Sequence, residues 1–201
     1  MRTTVFGGLR IDHDESMLPP REWTLAQSQW AAELLADAPD GPVLELCAGA
    51  GHIGLAAIHE VRRPLVAVEL NPRACRLLRV NADRAGLGPL VDVREGRVDE
   101  ALDPDERFAV VIADPPWVRT AEVADFPDDP VGTIDGGADG LAIARQCVAV
   151  TAAHLRAGGS AVLQVGSPEQ VEALQADLPG QLEVVEVRQA VRGVLVRLDA
   201  V

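Results

Sequence analysis

The chain contains no lysine and no tyrosine, and each of its 18 basic residues is arginine. Against these stand 31 aspartates and glutamates, for a formal net charge of −13. A chain this acidic argues against a broad electrostatic footprint on nucleic acid, while leaving room for a local basic patch. Cysteine is also scarce. Cys47, Cys75 and Cys147 are odd in number, far apart and without a Cys-x-x-Cys pair, so neither a disulfide framework nor a zinc site is suggested and the reduced state is expected. His13, His52, His59 and His154 show no zincin spacing, so no metal is expected. Asp12-His13-Asp14-Glu15 is rich in ligand types, but a solvated turn accounts for it. Aromatics make up 3% of a chain that is 48% hydrophobic, so the core must be aliphatic. The N-terminus lacks an apolar signal-like region and no apolar run approaches membrane length. The expectation is a cytoplasmic protein that does not touch membranes, folded as one α/β domain over residues 1–201.

What is present begins with Val43-Leu44-Glu45-Leu46-Cys47-Ala48-Gly49-Ala50-Gly51-His52-Ile53-Gly54. A short aliphatic strand stops at a glycine-rich turn, and Ile53, Leu55, Ala56 and Ile58 restart at helical spacing. Glycines at such a turn let the backbone approach a ligand, because no Cβ intervenes. Gly49 to Gly54 matches the dinucleotide fingerprint, and Glu69 follows about twenty residues on, where an acidic side chain would hold ribose hydroxyls. The pattern suits NAD and S-adenosylmethionine (SAM) equally.

The remainder alternates strands with helices. Val5 to Ile11 reads as a small hairpin, and Leu18 to Trp23 as an extended segment stiffened by Pro19 and Pro20. Thr24 and Gln27 form an expected capping box for a helix striped by Leu25, Trp30, Leu34 and Leu35. This region, 1–40, is a cap on a Rossmann-like core at 41–201. Core strands are expected at Val43–Leu46, Leu65–Val68, Leu90–Val93, Phe108–Ala113 and Ala161–Val165, with helices at His52–Val61, Pro72–Arg84, Leu141–Leu155 and after Ser167. Asn71 caps the second of these helices and Asp139 the third, which Gly158-Gly159 ends. Val118 to Ala138 is a long loop, and Leu182–Gln189 with Val194–Leu198 should close the fold as an antiparallel hairpin. The result is a mostly parallel seven-stranded sheet with helices on both faces and ligands at the carboxyl ends of its strands. Glu45, the glycines, Glu69, Gly96-Arg97 and Asp114 all fall just past strand ends.

Asp114-Pro115-Pro116-Trp117 separates the two cofactors. Two prolines hold the backbone rigid and extended. The Asp114 carboxylate and the Pro115 carbonyl can both accept from one N–H₂ group, and Trp117 can stack on the flat group that carries it. Such a clamp suits a planar amide or an exocyclic base amine, and hydride transfer has no need of it.

These motifs resemble those of class I SAM-dependent methyltransferases, and among them the HemK-type enzymes that methylate glutamine in peptide-chain release factors. Leu18-Pro19-Pro20-Arg21-Glu22-Trp23-Thr24 is similar to their proline–arginine segment, Glu45 to Gly51 to their SAM loop, and Glu69-Leu70-Asn71-Pro72 to the acidic end of their second strand. Asp114 to Trp117 stands where they have Asn-Pro-Pro-Tyr, and Asp135-Gly136-Gly137-Ala138-Asp139-Gly140-Leu141 resembles a further family segment. Cys47 replaces the usual first glycine, and Arg97 stands where an acidic residue often meets adenine. The resemblance implies methyl transfer from SAM to a planar nitrogen, with a protein glutamine preferred to an RNA or DNA base amine, and it leaves room for a small partner protein. Asp114, Pro115, Pro116 and Trp117 would hold the acceptor. Thr24, Glu45, Cys47, Ala48, Gly49, Gly51, Glu69, Leu70, Gly96, Arg97 and Asp114 would line the cofactor site. A non-catalytic SAM-binding module and a nucleotide-dependent oxidoreductase are the competing readings.

Overall fold

A computed structural model describes residues 1–201. Its centre is a seven-stranded sheet in the order β5-β4-β3-β6-β7-β9-β8. The strands are β3 (Val43–Leu46), β4 (Leu65–Glu69), β5 (Val91–Glu95), β6 (Phe108–Ala113), β7 (Leu155–Val165), β8 (Leu182–Gln189) and β9 (Val194–Ala200). β5, β4, β3, β6 and β7 run parallel, and β9 is antiparallel to both β7 and β8. A separate hairpin of β1 (Arg2–Phe6) and β2 (Leu9–His13) turns at Gly7-Gly8.

Side-chain alternation sorts the core into two layers. Leu44, Leu46, Val66, Val68, Val111 and Leu163 face helices α5 (Ala142–His154) and α6 (Pro168–Ala176). Val43, Leu65, Ala67, Val110 and Ile112 face α1 (Leu25–Asp37), α2 (His52–Ile58) and α3 (Pro72–Arg84). β3 therefore hands its chain to one face and β6 hands its chain to the other. Parting chains leave a crevice at the carboxyl ends of these two neighbours.

Several local expectations give way to tertiary demands. Thr24 stands at the N-cap of α1, but its side chain makes no capping hydrogen bond. It closes a 3-10 turn over Glu22–Thr24 and donates its hydroxyl to the Arg21 carbonyl, 2.8 Å away. Gln27 is instead fully buried, and its Nε2 donates to the carbonyls of Ala113 (2.9 Å) and Val162 (3.0 Å), tying the ends of β6 and β7 to α1. The stretch Asp12 to Asp14 is not solvated: all three side chains are buried, with Asp12 paired to Arg84 and Asp14 to Arg73. Hydrogen bonds from Arg84 and Thr3 hold the Asp12 carboxyl down at about 2, and at Asp14 the cost of burial is overcome by those from the Ser16 N–H and hydroxyl, with Arg73, which bring it to about 2 as well. Residues Val118 to Ala138 contain a 3-10 turn at Thr120–Asp125 and a short helix α4 (Val131–Ile134). Asp139 Oδ1 accepts from the Leu141 N–H (3.0 Å) just ahead of α5 without being its N-cap. α2 stops at Ile58, and β7 starts at Leu155, so Gly158-Gly159 lies inside a strand. A Cβ at Gly159 would stand 2.8 Å from the Ala109 carbonyl oxygen, which explains the glycine where β6 and β7 shift register.

Trp30 packs on Val162 and Leu195, as its place in the α1 stripe implies, and the Arg188 guanidinium stacks 3.9 Å above it. Asn71 caps α3 by accepting from the Arg73 N–H, and Ser167 caps α6. No helix is long and apolar enough to cross a membrane.

Asn81 of α3 joins the hairpin to the core. Its Oδ1 accepts from the Asp12 N–H (2.8 Å), while Nδ2 donates to the carbonyls of Asp12 and Ala50 (both 3.0 Å). Asn81→Ala would strip three buried hydrogen bonds and should cost about 2–4 kcal/mol. Amides of β1 and β2 should lose hydrogen-exchange protection before the central sheet does. A variant with wild-type melting temperature and exchange would refute this role.

Candidate active site

After β3 the chain enters the left-handed region three times, at Cys47 (φ 59°), Gly49 (φ 54°) and Gly51 (φ 81°). A cysteine there carries strain of the order of 1–2 kcal/mol that glycine would not. Gly51 has a packing reason for lacking a side chain, since a Cβ would sit 2.5 Å from Leu78 Cγ. Gly49 has none, because nothing lies within 4 Å of its Cβ position: it faces open space. The loop is closed by Gly51 N–H to Ala48 C=O (2.8 Å) and anchored by Ala48 N–H to Val68 C=O (3.1 Å).

Glu69 ends β4 and is held by backbone on both oxygens. Oε2 accepts from the Gly49 N–H and Oε1 from the Asn71 N–H, each at 2.7 Å. A carboxylate oxygen offers a second lone pair, so both oxygens remain able to accept from a pair of hydroxyls in the cleft.

A cavity of about 210 Å³ lies above this loop. Thr24, Cys47, Ala48, Gly49, Glu69, Leu70, Gly96, Arg97 and Asp114 line it, as the sequence leads one to expect. Leu70 is 66% exposed there, an apolar plate at the cleft's mouth. Arg97 reaches the lining, but its guanidinium is engaged by Asp99 at 3.0 and 3.1 Å. Gly51 and Glu45 are not part of the lining. Glu45 is 2% exposed, beneath the loop, with Oε1 accepting from the Gly54 N–H (2.8 Å) and Oε2 buried without a partner. Gly54 is required there, since a Cβ would run into Glu45 Oε2. Glu45, expected in the cofactor site, thus lies outside the lining and shapes the loop from below. Sequence reasoning did not single out Met17, Val98, Ile143 and Gln146, which also line the cleft. They are ordinary core or helix residues in their local sequence, and only the crossing of elements brings them here.

A second cavity, about 420 Å³, adjoins the first. Leu18, Arg21, Thr24, Asp114, Pro116 and Thr133 belong to both. All four residues from Asp114 to Trp117 line the second, together with Trp23, Gln164 and Arg192. Trp23 lies between the Arg21 and Arg192 guanidiniums, 5.4 and 5.6 Å from its ring centre. Arg21 also pairs with Asp129 at 2.5 Å, drawing the 118–138 segment over the cavity.

The run from Asp135 to Leu141 is a bracket around the clamp. Val118 N–H donates to Ile134 C=O (2.9 Å), Gly136 N–H to Val118 C=O (2.8 Å) and Thr120 N–H to Gly137 C=O (2.9 Å). A Cβ at Gly136 would stand 2.6 Å from the Pro116 oxygen, and one at Gly140 would run into the Trp117 oxygen. Gln170 locks the far side, donating through Nε2 to the carbonyls of Trp117 and Asp139 (both 3.0 Å) and accepting from Gly166 N–H (2.6 Å). The Trp117 ring lies where a Gly166 side chain would be.

Burial alone raises the Asp114 carboxyl to about 7. The Glu45 carboxyl is raised to about 8, chiefly by burial, with Gly54 N–H opposing and the charges of Glu69 and Asp114 adding to the rise.

A family model described as "Conserved hypothetical protein 95" matches residues 29–126. The release factor glutamine methyltransferase of Deinococcus radiodurans is 33% identical over 94% of this chain and 68% of its own length. The chain belongs to this HemK-type glutamine methyltransferase family. The ribosomal protein uL3 glutamine methyltransferase of Burkholderia pseudomallei is 30% identical over 80% of the chain. Only 56% of that relative is matched, so the chain spans between about half and two thirds of the curated relatives' length. The catalytic domain of hMettl16, solved with an RNA hairpin, superposes with a TM-score of 0.74 over 96% of this chain and 75% of that one. At 15% identity that likeness is one of fold, the class I methyltransferase fold, and the HemK-type assignment rests on the sequence relatives.

The raised Glu45 pKa has a definite sign. The folded state binds its proton up to about pH 8, whereas the unfolded chain releases it near 4.5. Wild-type stability should therefore fall as pH rises across that window and level off above it. Glu45→Gln, neutral throughout, should gain on wild type in melting temperature from about pH 5 to 8. A pH-independent difference between the two proteins would contradict burial of this carboxyl.

Proposed function

We propose that the protein transfers a methyl group from SAM to the side-chain amide nitrogen of a protein glutamine. The observation that carries this reading is the contiguity of the two cavities through Asp114 and Pro116. One side offers a close-approach glycine and a doubly anchored carboxylate, and the other offers an acceptor-only clamp. The family relationship supports the glutamine acceptor, and the acidic chain accords with a protein partner rather than a polyanion.

The residues present fit SAM. Glu69 would take the two ribose hydroxyls on its free lone pairs, and Gly49 would admit the ligand against bare backbone. Leu70 and Val98 would flank an adenine, in place of the side-chain contact that Arg97 cannot make while paired to Asp99. Bound SAM supplies a methyl already activated by its sulfonium, so this chain need only position and stabilise the attacking nitrogen.

Asp114 and the Pro115 carbonyl would accept from the amide N–H₂ and hold its nitrogen toward the cofactor cleft. Trp117 would cover the flat face. Positioning of this kind supplies much of the rate in an in-line displacement. As the nitrogen gains positive charge, the Asp114 carboxylate stabilises it and then takes the proton on Oδ. A pKa near 7 suits that exchange.

Asp114→Ala should lower turnover by about 10²–10³ while leaving SAM affinity nearly unchanged. Glu69→Ala should do the reverse, chiefly weakening SAM binding measured by calorimetry. Asp114→Asn should retain substantial activity, because its side-chain oxygen still accepts. Full activity of a folded Asp114→Ala protein would end the clamp reading. Protonated Asp114 keeps only an accepting oxygen, as Asn does, so wild-type kcat/KM for the acceptor should fall as pH drops through the Asp114 pKa, at or below about 7 with SAM bound, and level off near the Asp114→Asn rate. Asp114→Asn should lose that inflection; an unchanged profile in the variant would assign it to another group. Incubation with tritiated SAM and cell extract tests the acceptor class. Label that vanishes with protease supports the proposal, and label that survives protease but vanishes with nuclease overturns it.

A further inference from the structure

Gln164 stands out at the end of β7, among Ala161, Val162, Leu163 and Val165. It is 1% exposed, it lines the clamp cavity, and its Oε1 is buried without a hydrogen-bond partner. An unsatisfied buried acceptor is costly, and native proteins keep one where something outside the fold completes it. The register locates it further. Ala113 pairs with Leu163 on adjacent parallel strands, so Asp114 and Gln164 follow at the same level. By alternation both point to the face occupied by Ile112 and Val162.

Asp114 and the Pro115 carbonyl are acceptors only. They can take an N–H of a carboxamide but do nothing for its oxygen. Among the hydroxyl and guanidinium donors around the cavity, Arg21 is engaged with Asp129 (2.5 Å), Thr24 with the Arg21 carbonyl (2.8 Å) and Thr133 with the Pro130 carbonyl (2.6 Å), while Arg192 lies against the Trp23 ring, 5.6 Å from its centre. Gln164 carries a donor and an acceptor side by side, and a half-turn of its last bond exchanges them.

We propose that Gln164 reads the acceptor's carboxamide edge, its Oε1 taking the inner N–H and its Nε2 donating to the acceptor's oxygen. The outer N–H is left to Asp114 and Pro115. This rests on the glutamine reading above and deepens it, by naming the residue that separates glutamine from glutamate. A carboxylate in the same place would meet Gln164 Oε1 and Asp114 with no proton to offer either. A site built to pair such a group rejects the analogue that lacks it, because the site's own polar atoms are then left unpaired.

Binding and turnover test this separately. In ¹⁵N-labelled protein saturated with S-adenosylhomocysteine, the Gln164 side-chain N–H₂ signals are assigned by their loss in Gln164→Met, or in Gln164→Glu should the first not fold. Titration with N-acetylglutamine methylamide should shift them, and the matching glutamate compound should not. Signals that move with neither compound, with both equally, or with adenosine alone would overturn the proposal. Gln164→Met should also reduce kcat/KM for a glutaminyl peptide by about 10- to 100-fold, with S-adenosylhomocysteine affinity within about twofold of wild type. A folded variant at wild-type kcat/KM would overturn it equally. A wild-type protein that shows the selective shift but methylates no glutamine would remove the acceptor assignment and leave carboxamide recognition standing.

Discussion

Two successive prolines deprive the Asp114–Trp117 turn of the N–H groups by which a chain usually fixes itself. Its position depends on bonds made to its carbonyls from elsewhere. Gln27 reaches up from α1 to the Ala113 oxygen, and Gln170 reaches across from α6 to the Trp117 oxygen. The segment from Ile134 to Gly140 closes over the outside, with glycines wherever a Cβ would meet a clamp carbonyl. Three regions far apart in sequence thus hold one rigid row of acceptors against the cofactor cleft. Loosening any of them would shift that row relative to the cleft.

Electrostatics follow from the same placement. Glu45, Glu69 and Asp114 gather at the carboxyl ends of β3, β4 and β6, and burial drives Glu45 and Asp114 well above the ordinary carboxylate range. Glu69 is the one supplied with two backbone N–H donors. A cleft of this kind is unfavourable for an anion and favourable for a cation, and a positive charge bound there would draw both raised carboxyls back toward ionisation. The net negative charge of the chain acts in the same sense on a larger scale.

Much of the fold was legible because it rests on local rules. β3, β6 and β8 have the boundaries that their aliphatic runs imply, α3 runs from Pro72 to Arg84 under its Asn71 cap, and the closing hairpin pairs as drawn. The expectations that failed were those where a polar residue had two plausible uses. Gln27 makes a respectable capping-box partner in sequence, yet its amide is used to tie the Ala113 and Val162 carbonyls of β6 and β7 to α1. Asp12 and Asp14 look like a turn in water until Arg84 and Arg73 arrive from α3.

The sequence by itself determined the alternating architecture, the glycine turn, the acidic end of β4 and the clamp. Each is written in spacing of two or about three and a half residues, or in residues whose backbone freedom is peculiar to them. Tertiary structure alone decided which faces meet. It set the two cavities side by side, recruited Val98, Ile143 and Gln146 to one, and left Gln164 without a partner in the other. Neighbours of that kind come from strand order and register, which no local pattern encodes.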